Sequence, residues 1–113
     1  MITKKNDITW HELIPGIRIC TLVHGDKTLM SQFQLDAGCK LPMHSHPHEQ
    51  TGYLLSGRMT MTIDGVEHEF GPGDSWAIAG GVTHGATIHE TCLAIEIFSP
   101  VREDYLPYGP ATK

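Results

Sequence analysis

The amino-acid sequence predicts an all-β protein that forms one barrel or sandwich. Short segments alternate apolar and polar residues with a period of two, and glycine-rich corners separate them, whereas helical periodicity of useful length is absent. Regularly spaced short strands with such corners are typical of β-sandwiches and barrels. The chain has 113 residues, a length that suits a single domain with one core.

The chain divides into an N-terminal arm, a body of strands and a C-terminal tail. Trp10 and Leu13 are the expected anchors of the arm, which either covers an edge strand of its own subunit or reaches across to a partner. Pro15 and Gly16 end the arm. The three parts are residues 1–16, 17–98 and 99–113.

Within the body, turn residues separate the runs that read as strands. Asp64-Gly65 predicts a tight hairpin, because glycine tolerates a positive φ, and the glycines at 71–74 predict another corner. The predicted strands are residues 17–24, 28–35, 52–55, 59–63, 66–70, 75–78, 84–88 and 92–98.

Composition and charge limit the classes of partner. Hydrophobic residues make up 40% of the chain and charged residues 19%, which is enough apolar material for a core. The net charge of -5 argues against nucleic acid or an anionic membrane as a partner, because phosphate contacts need clustered Lys and Arg. The start of the chain carries no apolar signal-like run, and no run is long enough to cross a bilayer. We therefore expect a cytoplasmic protein with a small-molecule substrate.

The cysteines agree with a reducing compartment. Cys20, Cys39 and Cys92 are odd in number and share no C-x-x-C spacing, so a disulfide framework is not expected. We interpret them as small buried hydrophobes. A catalytic thiol at Cys39, which lies close to the histidine motif described next, is the weaker alternative.

The chemistry-bearing stretch lies between residues 38 and 57. His44 and His46 alternate in an extended segment, so their imidazoles can face one ion, and Gln50 can reach the same ion. His84 follows a second glycine-rich corner. Three imidazoles and an amide oxygen suit one divalent transition metal, and Zn, Ni, Mn, Co and Fe fit about equally well.

Neighbouring residues offer alternatives to these ligands. Gln50 brings no negative charge, so a purely structural hydrogen bond competes with metal binding there. Glu49 is the possible substitute, although its neighbouring position directs it to the opposite face of a strand. We interpret His48 as a residue beside the site or on the surface, because Pro47 interrupts the strand. The remaining histidines, expected to be exposed, are His11, His24, His68 and His89.

The stretch at residues 38–57 and the glycine-rich stretch that leads to His84 resemble the two sequence motifs of the cupins. The anchors Gly38, His44, His46 and Gly57 match the first cupin motif, with Gln50 where cupins usually carry Glu. Gly73, Gly81 and His84 match the second, with Ala79 in place of the usual Pro and Ile88 in place of the usual Asn. The resemblance covers about half of the chain. It implies a single cupin domain over residues 1–113, folded as a double-stranded β-helix, or jelly-roll barrel, with a metal inside its mouth.

The last strand presents the candidates for acid–base chemistry. Glu96 and Phe98 share one strand face, and Ile95 and Ile97 share the other. Alternation alone favours Glu96 in solvent and the isoleucines in the core, because unpaired carboxylates are seldom buried.

A narrower resemblance changes that expectation. The ending from Ile97 to Leu106, taken with the histidine motifs, is similar to the pectin-degradation cupins, which linearise 4,5-unsaturated uronates. In that family histidines and a glutamine hold the metal. The resemblance makes Glu96 the acid–base carboxylate, where the family has Asp. It makes Arg102 a catalytic and substrate-binding residue, and it places Phe98 in the pocket wall.

Three functions remain in view at this point. The leading hypothesis is a metal-dependent enzyme that opens and ketonises 4,5-unsaturated uronates from pectin or alginate. A dioxygenase with a redox metal is the second, and a non-catalytic binding module or sensor is the third. The family resemblance also implies a homodimer, with the arm at Trp10 as a candidate contact.

Overall fold

In the computed structural model, which describes residues 1–110, the chain forms eight β-strands and two short 3₁₀ helices. The all-β prediction is therefore confirmed. The C-terminal tail predicted at 99–113 is described as far as residue 110, and residues 111–113 lie outside the described part. The strands are β1 His11–Ile14, β2 Ile17–His24, β3 Leu29–Leu35, β4 Lys40–His44, β5 Glu49–Ile63, β6 Val66–Phe70, β7 Ser75–Ile78 and β8 His84–Ser99.

All the strand pairings are antiparallel, and two long strands organise them. The strand order is β1-β2-β3-β8-β5-β6, while β4 also pairs with β8 and β7 with β5. The first half of β8 lies between β4 and the second half of β5, and its second half lies between β3 and the first half of β5. Because β5 and β8 each belong to both regions, they join the two halves of the barrel.

The sequence predicted two separate strands where the structure has the single strand β5, and β8 likewise unites two predicted strands. The register between β5 and β8 shifts at several points from Leu54 to Met59, so bulges bend the pair without ending it. Gly57 lies at this bend with φ +94°, and a side chain there would overlap the carbonyl oxygen of Thr91. The glycine at this bend predicted a turn from the sequence, but the strand pairing between β5 and β8 continues past it.

The core lies between the two halves and consists of the inward faces of the strands. Ile17, Ile19, Leu29, Leu54 and Phe98 are at most 1% exposed, and other apolar side chains pack around them. Of the cysteines, Cys20 and Cys92 are buried as predicted, and Cys39 is half-buried. This core surrounds a cavity into which the site described below opens.

Segments before and after the main strands pack on the barrel within residues 1–110. Strand β1 lies beside β2 in the same chain and carries Leu13 to the cavity wall. After β8, the 3₁₀ helix Glu103–Tyr108 returns to β2, where the Thr21 hydroxyl donates to the Tyr105 carbonyl at 2.6 Å. The Tyr105 ring packs edge-on against Phe33 and Phe98. This anchoring fixes the position of Arg102, which immediately precedes the helix.

Candidate metal centre and active site

Three histidines from different parts of the chain converge at one end of the cavity. His44 ends β4 and is paired across the sheet with His84, which begins β8, while His46 lies in the loop between β4 and β5. One ligand nitrogen from each ring lies within 4.8 Å of the other two. The prediction that His84 joins the pair His44 and His46 is therefore confirmed in its geometry.

Backbone carbonyls hold the three rings in one tautomer. The Nδ1 atoms of His44, His46 and His84 lie 2.7, 3.0 and 2.9 Å from the carbonyl oxygens of Pro42, His48 and Val82. A neutral imidazole whose Nδ1–H donates in this way has a lone pair on Nε2, the usual arrangement of a metal-binding histidine. All three rings are thus oriented to present Nε2 to the same space.

The environment keeps two of these rings neutral. Burial lowers the pKa of His46 below 6.5, and the positive charge of Arg102 lowers it further. Burial also lowers the pKa of His84. A metal ion binds the neutral ring, so these shifts keep the site ready for an ion at neutral pH.

Gln50 connects the histidines to Glu96. Its side chain is buried at the start of β5, 4% exposed, and its Nε2 donates to Glu96 Oε2 at 2.8 Å. Its Oε1 then points at His46 Nε2, 2.7 Å away. In the neutral tautomer described above both of these atoms are acceptors, and a cation between them would satisfy both lone pairs. The donor set therefore fits a divalent metal.

Glu96 faces the cavity, so the expectation from alternation alone was wrong. Its side chain lines the cavity with its strand neighbours Ala94 and Phe98, whereas Ile95 and Ile97 lie half-exposed on the outer face. Burial raises the pKa of Glu96 to about 7, against the opposing effects of the Trp76 indole and the Arg102 charge. A carboxyl group with this pKa can both donate and accept a proton near neutral pH.

Arg102 provides a positive charge in the same cavity. Its guanidinium carbon lies 3.9 Å from the centre of the Tyr105 ring and 5.1 Å from that of Phe98. Its Nε lies 3.1 Å from the Asp104 carboxylate, and the Arg102 side chain is only 14% exposed. These stacking contacts restrict the side chain, so its remaining donors are held in place for an anionic ligand.

The remaining predictions near the site can now be placed. Glu49 is exposed, and His48 is half-buried and lies outside the cavity wall. His24, His68 and His89 are exposed as expected, but His11 is half-buried against Tyr108, so that expectation was wrong.

Sequence reasoning missed Trp76 and Tyr105, which both line the cavity. Trp76 lies in an ordinary strand run, and Tyr105 directly follows three charged residues. The only signal for Trp76 is its cross-strand neighbour Gly52, and that pairing is invisible before the register is known.

No helix within residues 1–110 is both long enough and apolar enough to span a membrane.

Comparisons with known proteins agree with this architecture. The sequence is 27% identical over 103 residues to the pectin degradation protein KdgF of Dickeya dadantii strain 3937, covering 89% of this chain and 94% of that protein. The structure superposes on KdgF from Halomonas sp. with a TM-score of 0.89 and 28% identity, covering 94% and 98% of the two chains. An RmlC-like cupin from Shewanella frigidimarina NCIMB 400 gives 0.89 and 26%, covering 93% and 95%.

The family assignment follows from the matched domain. The profile of the Cupin domain family matches residues 31–98, which is more than half of the chain and includes all four predicted metal ligands. This chain therefore belongs to the cupin family.

Proposed function

We propose that this protein is a metal-dependent enzyme that opens and ketonises 4,5-unsaturated uronates released during pectin or alginate breakdown. The observation that carries the proposal is the contact chain from His46 through Gln50 to Glu96, with the Arg102 guanidinium in the same cavity. Similarity to two proteins named KdgF, one of them named for pectin degradation, supports the substrate class.

The proposed metal ligands are His44, His46, Gln50 and His84. The first argument for this ligand set is geometric, because the three histidine nitrogens converge. The second argument is chemical, because the Gln50 oxygen faces the same space as His46 Nε2. When bound, a divalent ion polarises carbonyl or hydroxyl oxygens of a ligand.

Glu96 is the proposed acid–base residue. Converting the ring form of an unsaturated uronate to its linear keto form adds one proton to the enol carbon and removes one from the hydroxyl group of the anomeric carbon. The bond between that carbon and the ring oxygen breaks, so that an aldehyde forms at the anomeric carbon and the ring oxygen becomes the keto oxygen. A carboxyl group with a pKa of about 7 can deliver the first and take up the second, so the residue ends in its starting state. Glu96 stands where the pectin-degradation cupins have Asp, and its carboxyl group accepts a hydrogen bond from Gln50.

Arg102 is the proposed anchor for the substrate carboxylate. A guanidinium group matches the two oxygens of a carboxylate, and a charge-assisted pair in a partly buried site is stronger than one in water. Phe98 is fully buried beneath it and supports the guanidinium face. A carboxylate held here lies in the same cavity as Glu96.

The geometry favours an enzyme over a passive binding module. A binding module would gain support if Glu96 and Arg102 pointed away from the histidines. Instead, both side chains line the cavity that His44 and His84 also line.

A metal-dependent assay tests the proposal. Protein stripped with a chelator should leave the ultraviolet absorbance of unsaturated galacturonate unchanged, and reloading with Ni²⁺, Zn²⁺, Mn²⁺, Co²⁺ or Fe²⁺ should restore its loss. His84→Ala should remain inactive after reloading, whereas His24→Ala, which changes an exposed histidine, should behave as the unmodified protein. An absorbance loss that is independent of metal, or none with any metal, would overturn the assignment.

A homodimer in the cytoplasm completes the proposal. The outer face of β5 and β8 carries a group of apolar side chains. Tyr53 and Leu55 are 49% and 42% exposed, Ile95 lies directly opposite Tyr53, and Ile97 follows on the same face of β8. Burying such a face against a second copy would remove it from water. Light scattering should give twice the mass of the chain, and Ile97→Lys should give a monomer. A monomeric unmodified protein would refute the dimer.

A further inference from the structure

Three residues on adjacent strands form a row across the wall of the cavity. Gly52 on β5 is paired on one side with Trp76 of β7 and on the other with Glu96 of β8. Residues directly opposite each other on neighbouring strands have side chains on the same face of the sheet. Trp76 and Glu96 therefore face the cavity from either side of Gly52, and both line it.

The missing side chain of Gly52 leaves room for the indole to cross β5. A Cβ atom at residue 52 would overlap the Cε2, Cζ2 and Nε1 atoms of Trp76. The N–H edge of the ring thus lies over the glycine and extends toward β8. Phe70 packs edge-on against the indole, with 5.2 Å between ring centres, and limits its movement.

The indole N–H has one obvious acceptor. Within residues 1–110, Nε1 of Trp76 is buried and has no hydrogen bond that meets the usual distance and angle limits. A buried donor without an acceptor is unfavourable, so an acceptor for this N–H is expected nearby. The carboxyl group of Glu96 lines the same cavity wall on the far side of Gly52 from Trp76, in the direction in which the indole crosses β5. Gln50 already occupies Oε2 of this carboxyl group, so Oε1 remains for the indole.

We propose that Trp76 is a positioning residue, whose indole N–H, laid across Gly52, fixes the orientation of the Glu96 carboxyl group in the cavity. This inference rests on the proposed role of Glu96 as the acid–base residue. Gln50 and Trp76 then hold one carboxyl oxygen each. The group cannot rotate away from the substrate, and proton transfer depends on such placement.

The kinetic test removes the N–H and keeps the aromatic ring. Trp76→Phe should lower kcat about 10- to 100-fold with KM unchanged, because the substrate still binds but the carboxyl group is misplaced. Trp10→Phe, which removes the other indole N–H of the chain from a position outside the cavity wall, should retain kcat. A rise in KM with kcat unchanged would assign the N–H to the substrate and overturn the proposal, as would unchanged kinetics.

A spectroscopic test needs no turnover. The chain has two tryptophans, so in a Trp10→Phe background the single indole N–H signal in a ¹⁵N-correlated NMR spectrum belongs to Trp76. Glu96→Gln should shift this signal, whereas Glu67→Gln, at an exposed position on β6, should not. If the chemical shift of the Trp76 indole N–H does not change in Glu96→Gln, the positioning role is wrong even if the uronate activity is established. If the activity fails, a shifted signal still supports the contact.

Gly52→Ala tests the same contact from the other side. The new methyl group must displace the rigid indole, so the variant should show the kcat loss of Trp76→Phe and a shifted indole signal. A Gly52→Ala protein that folds and keeps full kcat would contradict the proposal. The Trp76→Phe result stands by itself if Gly52→Ala does not fold.

Discussion

The raised pKa of Glu96 predicts a measurable dependence of stability on pH. Burial moves this pKa from 4.5 to about 7 in the folded protein. The folded state therefore binds more protons than the unfolded state between these values, and stability falls as pH rises through that interval. The stabilising contribution of the protonated Glu96 carboxyl group to the free energy of unfolding is fully present below pH 4.5 and is lost above about pH 7. The difference corresponds to about 3 kcal/mol between the protonated and ionised forms.

Glu96→Gln isolates this contribution. Glutamine has nearly the same shape, carries no charge at any pH, and can still accept the hydrogen bond from Gln50. In metal-free protein, the free energy of unfolding of Glu96→Gln minus that of the unmodified protein should stay constant below pH 4.5. It should then grow by up to about 3 kcal/mol by pH 8.

Urea unfolding followed by circular dichroism at a series of pH values measures this difference. A chelator keeps metal binding out of the comparison. Glu67→Gln removes one exposed carboxylate and controls for the change in net charge. A difference that is flat from pH 4.5 to 8 would refute the reasoning, because the carboxyl group would then be as well solvated in the folded protein as in the unfolded chain.

Three further predictions concern the metal and the substrate. His84→Ala should abolish Zn²⁺ or Ni²⁺ binding in calorimetry, because two imidazoles remain, and His24→Ala should bind normally; equal binding by both would contradict the site. Because burial lowers the pKa of His46 and of His84, protons should compete with the metal for these two rings only below the usual titration range of histidine, so metal affinity should be retained at mildly acidic pH. A decline that begins above about pH 7 would contradict neutral rings. Arg102→Lys keeps the charge but loses the planar fork, so KM for the uronate should rise about tenfold; an unchanged KM would remove Arg102 from substrate binding.

The strand pattern and the histidines were predictable because both depend on local sequence rules. Period-two alternation fixes which residues share a face, and glycine fixes where a turn can form. The spacing of His44, His46 and His84 predicted a convergence that the structure contains. What the spacing could not supply was the tautomer of each ring, since the carbonyls that set it belong to loop conformations.

The orientation of β8 was not predictable from alternation, because both of its faces carry apolar residues. Ile95 and Ile97 look like core residues but lie on the outer face, while Glu96 lies inside. The usual rule fails here because the cavity supplies Glu96 with a hydrogen-bond donor and with the nearby charge of Arg102. Residues distant in sequence provide both, so only the fold reveals that a carboxyl group is tolerated there.

The same contacts explain why glutamine suits position 50. An amide has an acceptor and a donor at opposite corners, so Gln50 can direct its oxygen toward the histidines while its nitrogen donates to Glu96. A glutamate, usual at this position in cupins, would instead place a second carboxylate within hydrogen-bond distance of the first, and the two would compete for one proton. A neutral side chain at position 50 lets the proposed acid–base group lie next to the proposed metal centre and still titrate by itself. Gln50 departs from the usual cupin pattern in the sequence. This departure allows a carboxyl group at position 96 to titrate without a second carboxylate beside it.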